Sequence, residues 1–322
     1  PWRTDRSQSP AHPRAMTRLP LVLSGLSLGL CTVSSACDAP PPPVELGVPE
    51  ELARHRARTL SELRYDITLR IPEDRSAPVE GHTMVRFVRE DADDHPVVLD
   101  FKDPEDRVRG VEVNGEPSEW RAEADHIVLP PGAFGPGANE VRVDYLAGDE
   151  ALNRSDEFLY ALFVPDRAHF SLPLFDQPNL KAEVAWDIEV PAGWVAVANG
   201  PSVAGDGRSE EGTHGGGEAG RGGEGERGRY RFQPSRPIPT YLFAFAAGRF
   251  QVERGERDGR VFNMYHRETD PEVVARNALQ IFDLHASALA WLEDYTGIDY
   301  PFQKFDFVLI PPFQYGGMEH PG

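Results

Sequence analysis

The residues best suited to chemistry stand together as Gly316-Gly317-Met318-Glu319-His320. A fixed carboxylate such as Glu319 can hold a cationic group through charge-assisted hydrogen bonds, which are stronger than neutral ones. Two glycines before it let another backbone approach closely and add as a further strand. Taken alone, the stretch reads as a glycine-rich turn with a solvated glutamate. Other reactive patterns fall away. None of the ten histidines is followed by Glu, so the sequence holds no HExxH metal motif. His320, on a loop, reads as a hydrogen-bonded structural group, and His285 as part of the apolar face of a helix. Gly215-Gly216-Gly217-Glu218-Ala219-Gly220 has the form GxGxxG, but no apolar strand precedes it and no helix follows, so a dinucleotide site is excluded. The only two cysteines, Cys31 and Cys37, leave nothing for a disulfide framework or a thiolate metal site.

The elements that must position the 316–320 stretch are mostly strands. Residues 49–63 can form one short helix without chemistry on it. From about Arg64 the apolar period is two: Tyr65, Ile67, Leu69 and Ile71 alternate with polar residues, as in a half-buried strand. Similar runs occupy 83–88, 97–101, 108–113, 126–129, 141–145, 181–190, 194–198, 230–232 and 241–247. Turn residues such as Asn114-Gly115 and Pro130-Pro131-Gly132 separate them. The expectation is a mainly β domain of mixed or antiparallel sheets over about 60–250. It is interrupted at 205–229 by a loop with 11 glycines, expected to be flexible. A different pattern starts at 251–322. A strand at 261–265 leads to Asp270-Pro271, an N-cap followed by proline at the first helical position. Val274, Ala278, Ile281, Phe282, His285, Leu289 and Leu292 then share one helical face, Gly297 ends the helix, and 305–310 is another strand. This reads as a second domain that has begun and is incomplete.

The N-terminus carries a targeting pattern. Residues 1–15 read as upstream leader. Residues 16–37 have a short basic start at Arg18, an apolar run from Leu19 to Val33 and small residues before Cys37. The apolar run is shorter than the roughly 20 residues a membrane span requires. Cleavage before Cys37 would leave a lipid-modifiable cysteine on the Pro-rich tether and short helix of 38–59, with ordinary secretion as the other reading. The expected location is the periplasm or cell envelope, with membrane attachment through a lipid on Cys37. A formal net charge of −19, spread along the chain, makes nucleic acid an unsuitable partner.

Five segments in register resemble the aminopeptidase N family of zinc metallopeptidases, which includes the leukotriene-hydrolysing aminopeptidases. They are Phe175-Asp176-Gln177-Pro178-Asn179-Leu180-Lys181-Ala182; Pro191-Ala192-Gly193-Trp194 with Ala198-Asn199-Gly200; Pro239-Thr240-Tyr241-Leu242-Phe243-Ala244-Phe245; Tyr300-Pro301-Phe302-Gln303-Lys304-Phe305-Asp306; and Gly316-Gly317-Met318-Glu319-His320, similar to the family's GxMEN signature. The resemblance covers about 62–322. It implies a saddle-like β domain followed by the start of a thermolysin-like α+β catalytic domain.

It further implies an exported aminopeptidase that releases N-terminal residues from peptides with a free N-terminus. Glu319 would hold the α-ammonium group, Gly316 and Gly317 would admit the peptide backbone, and Met318 would lie near the first side-chain pocket. The family's zinc is held by HExxH and a later Glu, expected here downstream of Gly322, so residues 1–322 alone should bind no catalytic zinc and hydrolyse nothing. The alternative is a non-catalytic cell-envelope binding protein built on the same β domain. Two departures from the family stand out. His320 replaces its Asn, and Leu162 and Val164 occupy positions where many relatives carry Gln and then Glu or Gln, which removes one amine anchor.

Overall fold

Alternating burial builds the centre of the fold, as the two-residue period predicts. The computed structural model describes residues 41–90, 94–203, 227–311 and 313–322, all within one folded unit that starts at Pro41. The upstream residues 1–15, the signal-type segment 16–37 with Cys37, and the glycine-rich stretch up to Glu226 lie outside the described residues.

In chain order the elements are α1 (Glu50–Thr59), β1 (Leu60–Arg70), β2 (Val79–Arg89), β3 (Val97–Asp100), the single-turn α2 (Pro104–Arg107), β4 (Val108–Val113), β5 (Glu116–Pro117), β6 (Arg121–Glu123), β7 (His126–Leu129), β8 (Gly137–Ala147), β9 (Leu152–Arg154), β10 (Phe158–Ala161), β11 (Glu183–Val190), β12 (Val195–Ala198), β13 (Gly228–Phe232), β14 (Phe245–Gly248), β15 (Gln251–Arg257), β16 (Arg260–His266), α3 (Pro271–Thr296) and β17 (Phe305–Val308). Among the described residues the fold is mainly β, with several sheets and one long helix late in the chain.

A seven-stranded sheet runs β13-β11-β1-β2-β8-β4-β5. It is mixed, because β1 pairs in parallel with β11 and antiparallel with β2. Tyr65, Ile67 and Leu69 of β1 face inward with Val85 and Phe87 of β2 and Trp186 and Ile188 of β11. The opposite face carries alternating charges that pair across strands, Arg86 with Glu140 and Arg70 with Glu189 among them. Such exposed pairs contribute roughly 0–1 kcal/mol each, so they keep this face wet more than they hold it together.

Two smaller sheets close the core from the other side, β3-β7-β6 and β12-β14-β10-β9. The four-stranded sheet is covered on both faces. Leu159, Ala161, Ala196 and Ala247 join the large core, whereas Phe158, Tyr160, Val197 and Ala246 form a second apolar cluster with Tyr265, Val308, Ile310, Phe313 and Met318.

The last sheet, β15-β16-β17, is capped by α3. Asp270 caps that helix by accepting from the backbone N–H groups of Glu272 and Val273, and Gly297 ends it with φ +66°. Ala278, Phe282 and Leu289 pack on Phe262 and Met264. Gly255 allows that closeness: a Cβ there would stand 2.5 Å from the Phe282 ring. The outer face of α3 is also apolar, with Leu284, Trp291 and Tyr295 at 67%, 62% and 75% exposure. Few buried contacts mean low local stability. Amide exchange in residues 274–292 is therefore expected to run at least tenfold faster than in β1 and β11; equal protection would overturn that expectation.

Several sequence-based boundaries are corrected. The first helix stops at Thr59 and not near 63, because Leu60 and Leu63 turn into the core as part of β1. The expected strand at 241–247 is a 3-10 turn, Thr240–Leu242, followed by β14; the Thr240 hydroxyl is tied to Asp176 Oδ1 at 2.7 Å, which bends the chain there. Leu292 is 48% exposed and not on the packed face of α3.

Candidate functional site

Beyond β17 the chain stays pinned for several residues. The Leu309 N–H donates to the Tyr265 carbonyl at 2.8 Å, extending the β16–β17 ladder. Phe313 then settles beside Tyr160 with ring centroids 5.5 Å apart, and Met318 packs on the same apolar cluster. Between these apolar pins, Gly316 and Gly317 are exposed, and a Cβ on either would meet nothing within 4 Å. The described residues therefore impose no steric need for glycine at either position, which fits a backbone left open to an approaching chain.

Gly316, Gly317, Met318 and Glu319 all line a cleft of about 1370 Å³ together with Tyr160, His266, Lys304, Asp306 and residues of β17. The Glu319 side chain stands on the exposed side of this rim. The next bond reverses direction, with the His320 N–H donating to the Met318 carbonyl at 3.2 Å. Burial pushes the His320 imidazole down to about 4, against the opposing effects of the Leu242 carbonyl and the Glu319 charge. It is a neutral ring at physiological pH, hydrogen bonded to the Leu242 backbone, in keeping with the structural role read from sequence.

Several polar side chains that line the cleft are tied to one another and to the backbone. Lys304 Nζ donates to the Ala198 carbonyl and to Asp306 Oδ2, both at 2.7 Å. Asn263 Nδ2 donates to Asp306 Oδ1 at 2.6 Å. Burial, reinforced by the Asp306 charge, pushes the Tyr300 phenol up to about 12, and its hydroxyl donates to the Lys304 carbonyl. His285 stacks on Phe307 with centroids 4.5 Å apart and bonds the Ile281 carbonyl through Nδ1, which agrees with its reading as a packed residue.

Sequence reasoning missed Asn199. This buried side chain accepts from the Ala244 N–H at 2.6 Å and donates to the Leu242 and Pro321 carbonyls at 3.3 and 2.7 Å. Its signal is the Ala198-Asn199-Gly200 segment, whose letters by themselves indicate no task. Leu162 and Val164 both pack in the apolar cluster that holds Met318, Leu162 fully buried within it. Among the described residues no group of three or more His, Cys, Asp or Glu is placed to hold a metal ion.

Known proteins similar to the chain are aminopeptidases. Aminopeptidase N of Streptomyces lividans is 28% identical over 293 residues, 84% of this chain and 31% of that protein. A probable M1 family aminopeptidase of Encephalitozoon cuniculi is 27% identical over 291 residues, with the same two shares. The chain is homologous to M1 aminopeptidases of the aminopeptidase N type over part of their length. Glutamyl aminopeptidase of Sus scrofa, 30% identical over 162 residues, matches 49% of the chain and 15% of its own length. The chain thus spans about a third or less of the family members it matches. No family model matches it. The fold brings all four residues of the Gly316–Glu319 segment to one cleft.

Proposed function

We propose that the chain is the N-terminal part of an exported zinc-dependent aminopeptidase that releases N-terminal residues from peptides. The observation that carries this reading is the convergence of Gly316, Gly317, Met318 and Glu319 on a single open cleft. In it, the Glu319 carboxylate takes the α-ammonium group of the peptide. The unhindered backbone at Gly316 and Gly317 lets the substrate lie as an added strand. The apolar surface around Met318 and Tyr160 receives the first side chain.

The layers of sheet below the cleft are read as a saddle-like β domain at 60–250, and residues 251–322 as the start of a thermolysin-like catalytic domain. The exposed apolar face of α3 supports this, since such a face suits burial under further structure. The described residues do not fit a zinc ion; their part is binding and orientation, and the proposal assigns the metal ligands to sequence beyond Gly322. Export and a lipid on Cys37 rest on the sequence pattern of 16–37 alone. Mass measurement of the protein from a membrane fraction tests them: an unprocessed N-terminus would remove both.

The test of function uses the longer polypeptide that continues past Gly322, supplied with zinc. It is expected to release the N-terminal residue of leucyl anilides and unblocked peptides, to spare the N-acetylated forms, and to lose activity on chelation. KM should rise above pH ~8, where the substrate amine loses its proton and with it the attraction to Glu319. No release with or without zinc would overturn the reading and favour a binding protein built on the β domain.

A further inference from the structure

Within the aminopeptidase reading, on which this inference rests, we propose that Asn199 is a positioning residue that sets the geometry of the amine-binding Glu319 from the β domain. Asn199 is 2% exposed and lies just past β12. Two of its three hydrogen bonds are local to its own sheet: it accepts from the Ala244 N–H and donates to the Leu242 carbonyl. The third leaves the sheet and reaches the carbonyl of Pro321, 122 residues away and two residues past Glu319. A side-chain amide is suited to this task, because it alone offers an acceptor and two donors on one short stem.

The neighbouring contacts reinforce the same junction. Gly200 has φ +82°, and a Cβ there would stand 2.1 Å from the Gln233 carbonyl oxygen, so the turn that presents Asn199 is fixed. Gly322 lies against it, close enough that a Cβ would meet the Gly200 nitrogen at 3.3 Å. On the other flank Lys304 Nζ reaches the Ala198 carbonyl. The segment carrying Glu319 is therefore held at Met318 by apolar packing and at Pro321 by Asn199, with the carboxylate between the two pins.

The test is a double-mutant cycle in the zinc-loaded longer polypeptide, with leucyl anilide as the probe. Asn199→Asp keeps the acceptor for Ala244 but removes both amide donors. It is expected to raise KM roughly tenfold and leave kcat within about twofold, since loosening the segment that carries a binding group shifts ground-state affinity. In a Glu319→Gln background the same substitution should change KM by less than about twofold, because the group it positions has already lost its charge. An equal KM increase in both backgrounds would overturn the proposal by showing that Asn199 acts elsewhere. A wild-type protein that releases nothing would overturn the aminopeptidase reading itself, whatever Asn199 does. If Asn199→Asp fails to melt cooperatively, Asn199→Ser, which removes the reach to Pro321 without adding charge, enters the same cycle with the same expected outcomes.

Discussion

Arg56→Ala is expected to lower the stability of the chain by about 3–5 kcal/mol, the usual cost of stripping one partner from a buried ion pair. Arg56 and Asp100 are both almost wholly buried. The guanidinium of Arg56 meets the Asp100 carboxylate at 2.9 and 2.5 Å and the Val98 carbonyl at 2.8 Å. His126 Nε2 lies 3.1 Å from the same carboxylate, and the Asp176 N–H donates to it at 2.7 Å. This cluster ties α1 to β3, β7 and the Phe175-Asp176 turn. Burial alone would push the Asp100 carboxyl up. The Arg56 charge and the hydrogen bonds from His126 and Arg56 outweigh it and hold the group at about 2, below its ordinary 3.8. A depressed carboxyl contributes stability that is fully present above about pH 4 and is lost as pH falls toward about 2. Urea unfolding read at pH 7 and pH 3 checks both points. Arg54→Ala is the control: its pairing with Glu50 is fully on the surface and should change stability by less than about 1 kcal/mol. A loss no larger than the control's in Arg56→Ala would show that the buried pair contributes nothing net.

Glu319→Gln is expected to reduce kcat/KM on free-amine peptides by roughly 10–100-fold in the longer polypeptide, the range for losing a hydrogen bond to a charged group. The substitution keeps the shape and removes the charge. Its effect should concentrate in KM and erase the discrimination between free and N-acetylated peptides. Because Glu319 stands at an exposed rim, its replacement should leave thermal stability within about 0.5 kcal/mol. Leu162 and Val164 sharpen the expectation. Neither side chain can bond an amine and both lie in an apolar cluster, so the proposed anchoring falls on Glu319 without help from them. Unchanged selectivity in Glu319→Gln would remove the glutamate from the site.

What the sequence made legible depended on one-sided burial. Tyr65, Ile67 and Leu69 alternate because β1 has one wet face, and Asp270-Pro271 with Gly297 marks both ends of α3 by local chemistry alone. Strand β10 escaped detection for the opposite reason. Phe158, Leu159, Tyr160 and Ala161 are all buried, since one face of their sheet meets the large core and the other meets the cluster around Met318; a strand covered on both sides has no period of two. Strand β15 escaped because its side chains are mostly charged and its pairing with β16 is carried by the backbone. The Gly316–Glu319 and Ala198–Gly200 segments are both visible as strings of letters, but the task of Asn199 is not. Its meaning lies in a contact across 122 residues. Arg56 likewise read as part of a helix without chemistry, because nothing local reveals that a distant aspartate will bury it.

The parallel pairing of β1 with β11 also governs the order of events at the ribosome. Arg64 and Glu183 are partners in that ladder, so at about 5–20 residues per second the first strand waits roughly 6–24 s for its neighbour to be made. During that interval β1 and β2 can form their hairpin, but one long edge stays without a partner. An edge of that length invites pairing with a second nascent chain. Arg64, Asp66 and Arg70, which point outward from β1, then act as guards: they burden any wrong partner with unmatched charge until the proper strand arrives.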